Sequence, residues 1–394
     1  MRRLTRAQKW ALRIGVATPL IFLVVYFLLF QKLPFMPSPD LTDTILSQSG
    51  PAAGQAAHDP GATGTGDRVQ YGVLASEKKP GPAAAGTTAA VLLPAADTSA
   101  SATRRPGAAG TSTASAAAST GTPLATARAV IQHGVVQAGA INSTILGERR
   151  PFLIYLPPGY NAGTRRYAVV YLLHGAPGNY KDWQSAAGID KTLDALISVG
   201  RIPPLIAVLP DGNGGFFGGD TEWANSGSGK RAIRVEDYLT QEVVPYIDTH
   251  YRTRADPGHR AIGGLSTGGF GATNVTLHHP DMFGYAFGLS GNYLAVRTWT
   301  GKDLWSGDKA AKAYNSPTLY APKVSKIRQL HFCLIVGASD NLDNTLHETH
   351  QFDAVLTKLH VPHVAYYAPG LHSWRFWRLH VVDALEYIAQ VMPA

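Results

Sequence analysis

Seven residues, Gly263-Gly264-Leu265-Ser266-Thr267-Gly268-Gly269, limit the fold of this chain more than any other stretch. Gly264-x-Ser266-x-Gly268 is the pattern of a serine held on a sharp strand-to-helix turn, a nucleophile elbow. The glycines are needed because a side chain on either side would block the tight backbone and shield the hydroxyl. The pattern is short enough to arise by chance, so its context decides its meaning. That context is a buried strand before it, a small-residue helix after it, and an acid and a histidine further along.

The apolar runs supply the strands. Ala168–Leu173 and Leu205–Leu209 are continuous and uncharged, as in strands buried on both faces. They end at His174-Gly175-Ala176-Pro177-Gly178 and at Pro210-Asp211-Gly212. Residues 141–160 read as two strands around a Gly147 turn, the second stopped by proline. Arg260–Gly264, Tyr285–Leu289, 331–336 and 364–367 are further strands. Helical spacing marks Ile189–Val199, Arg234–Tyr251, Ser266–His279 and Arg375–Val391. Residues 212–230 form a long Gly-, Phe- and Trp-rich loop, and 292–328 a polar excursion. This alternation predicts one doubly wound α/β domain with a mostly parallel sheet over 129–394.

What precedes that domain has another character. Ile14–Phe30 carries no charge over seventeen residues, the lower limit for crossing a bilayer, and Leu12 and Gln31 extend it. Arg2, Arg3, Arg6, Lys9 and Arg13 lie before it and Lys32 just after, which puts the N-terminus in the cytoplasm. No small-x-small cleavage site follows. The expectation is a cytoplasmic basic segment at 1–13 and an uncleaved single-pass signal anchor at 14–31, with the rest extracytoplasmic; a cleaved secretory signal is the alternative. Residues 32–128 are rich in Ala, Gly, Ser, Thr and Pro and are expected to stay a disordered linker, because they hold too little apolar surface to offset ordering entropy. A flexible chain of ninety residues has an r.m.s. reach of about 50 Å.

The formal charge of +8 sits almost wholly in this N-terminal part. Residues 1–150 carry fourteen Lys/Arg against seven Asp/Glu, and the remainder twenty-one against twenty. A nucleic-acid partner therefore has no basic folded face to bind. Cys333 is the sole cysteine, so no intrachain disulfide exists, and its apolar surroundings make it a buried strand residue.

A serine hydroxyl becomes a useful nucleophile when a histidine takes its proton and a carboxylate orients that histidine. The chain supplies Ser266, Asp340 and His372 in that order, each at the end of an expected strand, as in α/β-hydrolases. Asp343 and Glu348 are alternatives for the acid. His363 and His380 lack the sheet-edge position of His372. Donors for a developing oxyanion are the backbone N–H groups of Thr267, next to the serine, and of Ala176 in the early loop. His174 is expected to brace that loop, a catalytic role being the alternative. Trp374 and Trp377 are read as core. His347-Glu-Thr-His350 lacks the spacing of a zinc helix, Gly227-Ser-Gly-Lys230 lacks the leading glycine of a phosphate loop, and Gly214–Gly219 opens no helix as a dinucleotide site would. No metal or cofactor site is indicated.

Taken together, Tyr155-Leu-Pro-Pro-Gly-Tyr160, Tyr171-Leu-Leu-His-Gly175, Leu209-Pro-Asp211, Glu242-Val-Val-Pro-Tyr-Ile247, Gly264-Leu-Ser-Thr-Gly-Gly269 and Gly370-Leu-His-Ser-Trp374 resemble the putative-esterase family of α/β-hydrolases. That family includes esterase D, enterochelin and feruloyl esterases, and mycolyltransferases. The resemblance covers most of 140–394. It implies an eight- or nine-stranded sheet, no metal or cofactor, Ser266 as nucleophile, His372 as base, Asp340 in the acid loop, and Ala176 and Thr267 as oxyanion donors. The expected activity is a membrane-anchored serine esterase acting on an ester substrate through an acyl-enzyme. The alternatives are an acyltransferase that moves an acyl group to a sugar hydroxyl of an envelope glycolipid, and a non-catalytic surface binding protein on the same fold. Family members vary at 292–328, so substrate choice does not carry over.

Overall fold

A computed structural model describes residues 41–48, 130–213, 219–227, 232–295 and 302–393. The segment expected to cross the membrane, 14–31, lies outside these residues, as do 1–13 and nearly all of the linker. Among the described residues no helix is long and apolar enough to span a bilayer.

Among the described residues the main sheet has eight strands: β1 (Val135–Ser143), β2 (Glu148–Leu156), β3 (Ala168–Leu173), β4 (Leu205–Pro210), β5 (Arg260–Leu265), β6 (Tyr285–Leu289), β7 (His331–Gly337) and β8 (His363–Ala368). Their order is β1-β2-β4-β3-β5-β6-β7-β8. β1 and β2 pair antiparallel, with Ile141 opposite Arg150, and Gly147 turns the hairpin with φ +71°. β2 also runs antiparallel to β4. Every later pairing is parallel, with Tyr171 opposite Ile262, Ile262 opposite Ala286 and Tyr367 opposite Val336.

Both faces of the sheet are covered, which is why its central strands read as unbroken apolar runs. On one face, Val169, Tyr171 and Leu173 of β3 and Phe332 and Leu334 of β7 join a core with the helical stretch Val235–His250, α4 (Thr267–His278) and α5 (Thr345–Lys358). The helical stretch includes a π-turn at Tyr238–Val243 and ends in α3, Val244–His250. On the other face, Val170, Leu172, Cys333 and Ile335 meet α1 (Leu41–Gln48), α2 (Ile189–Ser198) and α6 (Trp374–Val391). Cys333 is a fully buried free thiol whose pKa burial raises.

The doubly wound, mostly parallel sheet is the architecture expected. One departure lies in the stretch read as a disordered linker: Leu41–Gln48 is helical, and Ile45 is only 2 % exposed. Its Leu41 and Ile45 fall one turn apart on a single face, and that face packs on α2. Composition hides this because eight residues gain their helicity from a partner surface, not from their own propensity.

For the site, the consequence of this topology is an alignment of loops. Strands β3, β5, β7 and β8 are parallel, so their C-terminal ends open on one edge of the sheet. The loops 174–178, 337–343 and 369–373 and the turn at Ser266 all leave from that edge.

Candidate active site

Between β5 and α4, Ser266 has φ +53° and ψ −125°, a conformation L side chains rarely adopt. Such strain is of the order of 1–3 kcal/mol and persists where surroundings over-determine the backbone. The surroundings here are backbone atoms. A Cβ at Gly264 would lie 2.3 Å from the carbonyl group of Gly268, and one at Gly268 would lie 2.3 Å from the Leu173 carbonyl oxygen. The elbow is thus wedged between its own glycines and the end of β3. Ser266 N–H donates to the Leu289 carbonyl at 2.9 Å, and Gly269 N–H to the Ser266 carbonyl at 2.9 Å.

Two other loops converge on this serine. His372 Nε2 lies 3.0 Å from Ser266 Oγ, and its Nδ1 lies 3.0 and 3.2 Å from the two carboxylate oxygens of Asp340. Asp340 is 1 % exposed and the His372 side chain 13 %, so the carboxylate is hidden and the imidazole reaches the surface. The acid is aimed by a tight turn in which Asp340 N–H donates to the Gly337 carbonyl at 2.9 Å. The two loops are sewn together, since Ser339 N–H donates to the Gly370 carbonyl at 3.0 Å and Ala338 N–H to the Ala368 carbonyl at 2.7 Å.

The alternative acids stand elsewhere. Glu348 accepts the N–H groups of Tyr293 and Leu294 at 2.7 and 2.9 Å. Asp343 is an exposed residue with φ +47°, and its backbone carbonyl accepts from Asn292. His363 and His380 pair with Asp353 and Asp383.

The loop after β3 lies directly beneath the elbow: a Cβ at Gly175 would meet Leu265 and, at 3.2 Å, Ser266 Cβ. Among the described residues, neither the Ala176 nor the Thr267 N–H has a backbone partner. His174 braces this loop. Its buried ring donates from Nδ1 to the Gly175 carbonyl (2.8 Å) and accepts the Gly212 N–H at Nε2 (3.1 Å), which fixes a neutral tautomer. Burial pushes its pKa down in the same direction. The expectation of a bracing role matches this geometry.

Several contributors carry no signal in the sequence. The Trp223 indole donates to the His174 carbonyl at 3.0 Å and packs edge-on against its ring. Trp377 is core, as read, but it also sets its ring edge-on to His372, centroids 4.8 Å apart, while its N–H donates to Ser290 Oγ at 3.1 Å. Glu222 precedes Trp223. Burial and the neighbouring carboxylates of Asp220, Asp343 and Glu348 push its pKa well above the ordinary carboxylate range. The hydrogen-bond partners of Trp223 and Trp377, His174 and Ser290, lie 49 and 87 residues away, beyond any local pattern. The segment 214–218 of the Gly-rich loop and the 296–301 part of the excursion fall outside the described residues.

A buried carboxylate, an imidazole and a serine hydroxyl in hydrogen-bond series, set on a strained turn, can generate an alkoxide-like nucleophile at neutral pH. A family model described as "Putative esterase" matches residues 143–388, which include all of these groups. The chain belongs to the putative-esterase family. Among its relatives, an endo-1,4-beta-xylanase/feruloyl esterase of Xylanibacter ruminicola is 36 % identical over 168 residues, covering 41 % of this chain and 22 % of that one. Esterase Rv1288 of Mycobacterium tuberculosis is 27 % identical over 277 residues, covering 61 % and 56 %. The match thus spans about a fifth of the first relative and little more than half of the second. Among solved structures, a ferulic acid esterase superposes with a TM-score of 0.58 at 24 % identity, over 66 % of this chain and 99 % of that one. An S-formylglutathione hydrolase from Agrobacterium tumefaciens gives 0.58 at 17 % identity, over 66 % and 96 %. These likenesses establish the α/β-hydrolase-like fold for this family member.

Proposed function

We propose that this chain is a serine esterase, anchored in the membrane by 14–31, with its catalytic domain on the extracytoplasmic side. The observation that carries the catalytic reading is His372, within hydrogen-bond reach of Ser266 Oγ on one side and the buried Asp340 on the other. Ser266 Oγ attacks the carbonyl carbon of an ester as His372 Nε2 takes its proton. Asp340 holds the imidazole in the required tautomer and stabilises the imidazolium that forms. The oxyanion is met by the N–H groups of Ala176 and Thr267, each worth about 3–4 kcal/mol in the transition state. Collapse of the tetrahedral species expels the alcohol, protonated by His372, and leaves an acyl-Ser266. Water, deprotonated by the same imidazole, releases the acid.

The anchor rests on the charge-free run 14–31 and the basic residues before it. Transfer to a sugar hydroxyl is the weaker reading, because the relatives named above are esterases and hydrolases. Feruloyl esters are the first substrates to assay, given the 36 % identical relative. The test is labelling of the full-length chain by a fluorophosphonate probe. Wild type is expected to be labelled and Ser266→Ala not; equal labelling of the two proteins removes Ser266 as the nucleophile.

A further inference from the structure

The chain contacts helix α2 twice, once on either side of residues 49–129. The first contact is α1 itself. Ile45 is buried in the apolar cluster that contains Leu193 and Leu196 of α2, and Leu41 packs beside it. The opposite face keeps Asp43 and Ser47 exposed. The second contact is where the chain returns before β1. Gln132 N–H donates to Ser198 Oγ at 2.9 Å, and Gly134 N–H to Asp194 Oδ1 at 2.7 Å. His133 Nδ1 lies 2.9 Å from Asp194 Oδ2. Asp194 is buried and fixed from below by the Tyr155 hydroxyl at 2.8 Å. Two described segments, α1 and Gln132–Gly134, one on either side of residues 49–129, therefore both contact α2.

We propose that α1 is a docking strap, seated on α2, that makes the long low-complexity stretch a loop hung from the enzyme instead of the link between enzyme and membrane. This builds on the anchoring reading above. With α1 docked, only residues 32–40 separate the anchor from the catalytic unit. Nine residues span at most about 30 Å when fully extended, whereas the whole linker has an r.m.s. reach near 50 Å and a contour of roughly 300 Å. The domain is held close to the bilayer, and the esters it meets are those of the membrane surface and the layer beside it. A modest contact suffices for this, because the connecting chain keeps α1 at an effective concentration in the millimolar range. For the same reason the test leaves the chain uncut.

Cys333 is buried, so two introduced cysteines can be spin-labelled selectively. Labels at Ser47→Cys and Lys191→Cys, both exposed positions, report the α1–α2 distance by pulsed EPR on the full-length chain in detergent. Packed helices lie about 8–10 Å apart, so docking predicts one narrow distribution within roughly 30 Å once the label arms are added. Adding Ile45→Glu should replace it with a broad distribution extending to about 50 Å, with turnover of a soluble ester unchanged as the check on folding. A broad distribution in the parent, or a narrow one that survives Ile45→Glu, overturns the docking. Co-sedimentation of the same chain with lipid vesicles tests the anchor separately. A chain that docks α1 but does not co-sediment sinks the membrane reading and leaves the closed loop standing.

Discussion

Replacing Gly264 with alanine should cost this enzyme both stability and rate, for one geometric reason. The added Cβ would sit 2.3 Å from the carbonyl carbon and oxygen of Gly268 and 2.8 Å from the Leu173 carbonyl oxygen, where ordinary contact begins at 3.4 Å. All three are backbone atoms, so no side chain can swing aside. The elbow must open by about 1 Å, and a misplacement of that size at reacting atoms costs roughly 100-fold in rate, or about 2.7 kcal/mol of transition-state stabilisation. Overpacking adds about 1–3 kcal/mol to the instability of the fold, which lowers Tm by roughly 3–10 °C for a domain of this size. The measurements are kcat/KM on an aryl ester, the rate of fluorophosphonate labelling, and thermal unfolding by circular dichroism. Gly147→Ala is the contrast: φ is +71° there, but nothing lies within 4 Å of the new methyl. It should lose about 1 kcal/mol of stability and no activity. If Gly264→Ala kept kcat/KM within threefold of wild type at an unchanged Tm, the argument that the glycines wedge the elbow would be wrong.

Asp340→Asn should lower kcat about 10³–10⁴-fold with the fold intact, while Asp343→Asn should stay within about threefold; comparable losses in both would reassign the acid. Glu222→Gln should raise Tm at pH 7 and leave it unchanged near pH 4. The sign follows from the upward shift of Glu222. Below the unfolded pKa of about 4.3 both states hold the proton and nothing is lost. As pH rises from there toward the folded value, the unfolded state releases its proton first and native stability falls. Glutamine removes that loss and still donates to Asp220. A Tm gain of equal size at both pH values would count against a neutral acid at this position.

Much of this fold could be read from the chain. Runs such as Ala168–Leu173 declare buried parallel strands because no polar face interrupts them, and the order β1-β2-β4-β3-β5-β6-β7-β8 then sets their C-terminal ends on one edge. Ser266 and His372 were legible because each lies shortly past the C-terminal end of a strand, Ser266 by one residue and His372 by four. The acid was less so. Asp340 and Asp343 share one loop, and what separates them is a backbone turn from Gly337, a feature of geometry and not of composition. The braces at His174 and Trp377 depend on partners 38 and 87 residues away. Helix α1 escaped because its Leu41 and Ile45 acquire meaning only from the α2 surface beneath them.

The place of β8 in the sheet has a consequence for how activity is acquired. Among the described residues it is an edge strand paired with β7 alone, and the loop carrying His372 leaves from its end. A chain that has emerged through Asp340, three residues past β7, holds the other seven strands and Ser266 but not His372, the base proposed above. On the proposed mechanism, hydrolytic competence would therefore be withheld from the nascent polypeptide until β8 and the loop carrying His372 are in place. Recovered activity after refolding thus reports completion of the whole domain, where a spectroscopic signal from the sheet would register much sooner.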